Sequence, residues 1–148
     1  MNGLLGVSVF IISCFLGVKK AAVLRNNLHF AEDFLALINR MENNINFEQK
    51  SVKQVLLEQE NLSRNDFKKF LQNYNPNYVE QNDELRKLAN SFLDSVGRGD
   101  KHTELALLKQ TKFALMPLLA KQQENQKRGY LATKLGVLVG LGLCIMVI

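Results

Sequence analysis

The sequence predicts an all-α protein: an antiparallel bundle of about five to six helices between an N-terminal and a C-terminal transmembrane helix. Three observations predict it. All nineteen Lys/Arg and fourteen Asp/Glu residues lie between Lys19 and Lys134, so neither chain end carries a charged side chain. Between those limits apolar residues recur at three- and four-residue steps, the period of a helix with one buried face. Alternating patterns of the β type never last more than a few residues.

The first element is the uncharged run "MNGLLGVSVFIISCFLGV", followed at once by Lys19, Lys20 and Arg25. Eighteen helical residues rise about 27 Å, close to the hydrocarbon thickness of a bilayer. A cleaved leader carries its basic residues before the apolar run. Here they follow it, which points to a retained anchor over residues 1–18.

No breaker separates this anchor from the next pattern, so one helix is expected to run on through it. Leu24, Leu28, Ala31, Leu35, Ile38 and Ile45 mark its apolar face, with Phe34 and Met41 beside them. A second helix fits residues 51–60, with Val52, Val55 and Leu56 inward. Ser63 and Asp66 have the spacing of a capping box and open a third helix bearing Phe67, Phe70, Leu71 and Tyr74. "NYNPNY" breaks the chain around Pro76.

A fourth helix carries Leu85, Leu88, Ala89, Phe92 and Val96 and stops at Gly97, a residue suited to a helix C-terminus. Asp100 then caps a fifth helix through Leu105, Leu108, Leu115 and Leu119. Pro117 inside it is expected either to kink one helix or to separate two. Arg98–Asp100 spells RGD, but a helix stop followed by a helix start accounts for those residues.

The last element is "LGVLVGLGLCIMVI", residues 135–148, flanked inward by Lys127, Arg128 and Lys134. Fourteen residues rise only about 21 Å; three more residues and a snorkelling Lys134 extend the span to about 27 Å. Gly136, Gly140 and Gly142 are spaced for close helix packing in lipid, with Gly3, Gly6 and Gly17 of the first anchor as the nearest partners. Basic residues lie on the inner side of both anchors, so residues 19–134 are expected to face the cytoplasm.

Composition also argues against several function classes. No Gly-rich phosphate loop, nucleophile elbow or paired histidine is present, and the carboxylates are scattered, so no catalytic chemistry and no cofactor is expected. His29 and His102 stand apart without metal-ligand spacing, and Cys14 and Cys144 are expected near opposite membrane faces, too far apart to bridge. The net charge of +5 comes from basic residues interleaved with acidic ones and densest beside the anchors. That favours membrane lipids over nucleic acid as a partner, and no small-molecule substrate is implied.

The order of parts, with three short stretches, resembles the stage III sporulation protein AB family of endospore-forming bacteria. "NINF" at residues 44–47 is similar to the family's Glu-Ile-x-Tyr and continues into "KSVKQVL", where Ser51 stands for Pro and Val52 for Leu. "FLDSVGRGD" is similar to Phe-x-x-x-Leu-Gly-x-x-Asp, with Phe92, Gly97 and Asp100 kept and Glu104 where the family has Gln. "KLGVLVG" at 134–140 resembles its Leu-Gly-x-x-x-Gly. The chain departs from the family in having no Trp, no Pro near Ser51, and Pro117 in the last helix.

The resemblance implies a non-catalytic membrane platform, similar to the cytoplasmic domain of type II secretion and type IV pilus inner-membrane proteins. It implies a place in the channel complex between mother cell and forespore, on the mother-cell side, with a secretion-type ATPase and other channel subunits as partners. Gly97, Arg98, Gly99, Asp100 and Glu104 are the candidate partner surface. The competing expectation is a lipid-binding structural protein acting through Lys19, Lys20, Arg25, Lys127, Arg128 and Lys134.

Overall fold

The structure, a computed structural model, describes residues 2–48, 50–74 and 83–147, and their side chains except at 2–6, 9, 10, 48 and 140–147. Apart from short joints the described residues are helical, with no strand among them. The order is α1 (Asn2–Asn43), a π-helical segment (Asn44–Glu48), α2 (Val52–Leu62), α3 (Asn65–Gln72), α4 (Glu84–Ser95) and α5 (Lys101–Val147). They form two compact units: Met1–Leu28 with Gln122–Ile148, and His29–Lys121. The "NYNPNY" turn falls largely on residues 75–82, outside the described ones.

The unit His29–Lys121 is a helical bundle organised by aromatic rings. Phe30 and Phe34, four residues apart on α1, face one way and are fully buried with Phe67 and Phe92. Phe30 meets Phe67 edge-on at 5.0 Å and Phe70 at 5.1 Å, and Phe34 meets Phe92 at 5.6 Å. Such pairs contribute about 0.5–1.5 kcal/mol each beyond the area they bury. Leu37, Ile38, Val55, Leu85, Leu108 and Leu115 complete the core.

Polar contacts fix the joints. The Asn44 side-chain amide donates to the Lys50 carbonyl and accepts from the Lys50 amide, both at 2.8 Å, closing the turn before α2. Ser51 caps α2 in a reciprocal box with Gln54: each backbone amide donates to the other's side chain at 3.3 Å. Ser63 ends α2 instead of opening α3; its hydroxyl donates to the Gln59 carbonyl at 2.7 Å. The start of α3 is capped from another helix, because the Arg64 amide donates to the Asp33 carboxylate at 2.9 Å. Arg64 also pairs with Glu32 at 2.7 Å.

Pro117 does not divide α5, which continues from Lys101 to Val147. The proline faces solvent, so water can satisfy the carbonyl that its missing N–H leaves free. Likewise the two apolar ends are not helices of their own but the outer parts of α1 and α5. Among the described residues, no helix is long and apolar enough to cross a membrane. Of the two uncharged ends, the described side chains are those at 7, 8, 11–18 and 135–139.

Just beyond α3, Tyr74 donates its hydroxyl to the Asp94 carboxylate of α4. Burial first, then the hydrogen bond to Asp94 and that carboxylate's charge, push the phenol up to about 12. A phenol whose pKa rises on folding adds stability that is whole below about pH 10 and is lost as pH rises through about 12. Wild-type stability is therefore expected to fall across pH 10–12 more steeply than that of Tyr74→Phe. Denaturant titrations of both proteins across that range measure the difference.

Candidate functional site

Two places gather the residues that the sequence singles out: the α4–α5 junction and the helix pair formed by the outer parts of α1 and α5. At the junction, α4 ends at Ser95 and Gly97 adopts φ +82°, the left-handed conformation that glycine takes without a Cβ penalty. A β-carbon there would also lie 3.4 Å from Val52 at the start of α2, and one on Gly99 would come within 2.9 Å of Thr103.

Glu104, in the first turn of α5, reaches back over the loop. Its Oε1 accepts the Gly97 amide at 2.8 Å and the Gly99 amide at 3.0 Å. The residue is only 8 % exposed, and its Oε2 is buried without a hydrogen-bond partner. Asp100 caps α5, accepting the Thr103 amide at 3.2 Å together with the Thr103 hydroxyl. Those two donors, the hydroxyl foremost, hold the Asp100 carboxyl below the usual carboxylate range. Of the five candidate surface residues, Gly97, Arg98, Gly99 and Asp100 are exposed. Glu104 is a correction: it faces inward, because its carboxylate is used to satisfy two loop amides.

In the other unit, the start of α1 and the end of α5 pack as an antiparallel pair. They are in contact where a β-carbon on Gly129 would stand 2.6 Å from Leu24 Cδ1. Gly136 and Gly17, in contrast, have nothing within 4 Å of such an atom, so neither is a packing contact here. The surroundings of Gly140 and Gly142, and those of Cys144, lie outside the described residues. Gly129 escaped sequence reasoning because it sits in the charged stretch "KRGY", where small-residue packing has no apolar signature.

Outward from that contact the pair loses its charges. Lys19 lies five residues back along α1 and Lys134 five residues on along α5, about 7.5 Å in each case. The last charge on each arm therefore stands at one level. Each of these lysines covers an aromatic ring four residues earlier, Lys19 over Phe15 at 4.9 Å and Lys134 over Tyr130 at 4.6 Å. Beyond them Ile11, Ile12, Leu16, Leu135, Leu138 and Val139 are exposed.

Charge divides along the same line. Segments 1–28 and 122–148 hold six Lys/Arg and one Glu, whereas residues 29–121 hold thirteen of each sign, so the helix pair carries the whole net charge of +5. Its one carboxylate, Glu124, is taken by Arg128 at 2.6 Å. Lys20 is exposed on the same arm as Lys19, while Arg25 and Lys127 line a crevice of about 500 Å³ between the helices. On the bundle, Phe47 and Phe113 stand 82 % and 86 % exposed, unanticipated from a periodicity that assigns large apolar residues to the core. Among the described residues no three His, Cys, Asp or Glu side chains are grouped to hold a metal ion.

Truncating the clamp is expected to loosen the junction. Glu104→Ala leaves two amides without an acceptor and should lower the unfolding free energy by about 1.5–3 kcal/mol, the range for hydrogen bonds to a charged group. Amide exchange at Gly97 and Gly99 should quicken before that of α2 or α4, as hydrogen exchange read by NMR would show.

No protein-family model, curated protein or solved structure matches this chain.

Proposed function

We propose that this chain is a non-catalytic membrane platform: a neutral helical bundle tethered to the bilayer by the helix pair. The single observation that supports this best is the alignment of Lys19 and Lys134, beyond which both arms lack charge and expose large apolar side chains. Isoleucine, leucine and phenylalanine exposed in this way are costly in water and favoured in lipid, and basic residues at the boundary are attracted to anionic head groups. By its resemblance to the stage III sporulation AB family, the bundle would face the mother-cell cytoplasm. There it would receive a secretion-type ATPase and neighbouring channel subunits.

A second reading has its own support in the charge division. Because the net +5 resides wholly in the helix pair, the protein could act mainly on lipid, with the bundle as a passive cap. Substitutions separate the two. Lys→Glu changes at Lys19, Lys20 and Lys127 should abolish function if lipid attraction is the activity. Changes at Arg98 and Asp100 should do so if partner recruitment is.

The full-length chain is expected in the membrane pellet after alkaline carbonate extraction, and from membranes it should capture the cognate ATPase. Release into the carbonate supernatant would contradict the tether. Retention in the membrane without ATPase capture would contradict the platform role and leave the lipid role.

A further inference from the structure

We infer that the crevice between α1 and α5 is a binding site for one anionic phospholipid, its phosphodiester held between Arg25 and Lys127 and an acyl chain laid along the apolar wall. This rests on the membrane reading above and adds a defined ligand to it.

The crevice has two chemically distinct ends. At one end Arg25 and Lys127 stand on facing helices. Leu24 meets Gly129, so these two cations lie at levels within about one residue of each other. Neither has an ion-pair partner among the described residues, and the only carboxylate of the helix pair is already engaged by Arg128. Two unpaired cations on opposite walls suit an oxyanion with several acceptors, Arg by its planar fork and Lys as a point charge.

At the other end the wall is Val18, Ala21 and Ala22 of α1, with Thr133 of α5 opposite. Alanine at two adjacent positions leaves the depth that larger side chains would fill. Thr133 adds little polarity, because its hydroxyl donates to the Gly129 carbonyl at 2.9 Å. A volume of about 500 Å³ is in the range of small-molecule sites. It is ample for a phosphate with the upper part of one acyl chain.

Depth fits the same ligand. Arg25 lies six residues above Lys19, about 9 Å along the helix. Head groups extend about 5–8 Å beyond the hydrocarbon on each side. With the hydrocarbon boundary at Lys19 and Lys134, the two cations reach down to phosphate level, and the apolar wall descends toward the chains. Free phosphate would use only the upper end and leave the apolar wall wet, which is why the occupant is a lipid.

Native mass spectrometry of the full-length protein in mild detergent tests this, with phosphatidylglycerol, phosphatidylcholine and inorganic phosphate added in separate arms. One phosphatidylglycerol should remain bound, with neither phosphatidylcholine nor inorganic phosphate retained. Arg25→Gln with Lys127→Gln should weaken binding at least about tenfold. Ala21→Phe should weaken it severalfold with the charge unchanged. Lys19→Gln with Lys20→Gln, an equal loss of charge elsewhere on the pair, should change it by less than about twofold.

Equal weakening by both charge pairs would show diffuse attraction and overturn the site. So would unaltered binding in Arg25→Gln/Lys127→Gln, or retention of inorganic phosphate as strong as that of the lipid. Carbonate extraction of the same variants keeps the two proposals apart. A wild-type chain that stays in the membrane while failing the lipid test loses only the site; one that is extracted loses both.

Discussion

The bundle depends on the rings of Phe30 and Phe34. Helices α2, α3 and α4 are 11, 8 and 12 residues long, short enough that isolated segments of their kind are marginal in water. They persist by packing on α1, and the contact that recruits α3 and α4 is aromatic: Phe67 and Phe92 close on the two α1 rings at 5.0 and 5.6 Å. Around this hydrophobic centre the polar contacts act as locators. Asp33 fixes where α3 begins and Glu104 holds the loop that leads into α5, each by offering a carboxylate to backbone amides that a helix start or a tight loop leaves unpaired.

α1 and α5 must also satisfy a second set of demands. Within residues 29–121 each presents one apolar face to the core, and that segment balances its charges; within the helix pair they carry almost only positive charge and then none. An ordinary solvated surface has no physical need for such a division, since mixed charges keep a domain soluble at least as well. The proposed bilayer would supply the need: anionic head groups at the basic level, hydrocarbon beyond it. On that proposal the Phe15–Lys19 and Tyr130–Lys134 stacks sit where aromatic and basic side chains are both favoured, at the boundary between the two media.

Much of this was legible in the residues. The helical period located every described helix, Gly97 and Asp100 gave the α4–α5 junction, and the basic flanks marked the ends of the uncharged arms. What sequence could not show was tertiary. Ser63 has the spacing of a cap, yet Asp33, thirty-one residues before Arg64, caps α3 because packing brings α1 to that helix start. The real capping box, Ser51 with Gln54, is equally local and opens the stretch assigned to the second helix, yet no cap is marked there. Glu104 reads as a surface charge until the loop folds over it. Pro117 reads as either a kink or a break between two helices, but a solvent-facing position lets one helix continue through it. Gly129 rather than Gly136 is the glycine in contact with the facing helix, since contact depends on which side chain faces it, and Leu24 does.

The level at which both arms lose their charge is the central claim, and depth measurement tests it most directly. Nitroxide labels placed singly at Leu16, Val23, Tyr130 and Leu138 of the full-length protein in phosphatidylglycerol-containing bilayers can be compared for collision with oxygen and with a water-soluble nickel chelate. Leu16 and Leu138 should be oxygen-accessible and shielded from nickel, while Val23 and Tyr130 should be nickel-accessible, placing the boundary near Lys19 and Lys134 on both helices. Nickel accessibility at all four positions would contradict a helix pair held in lipid.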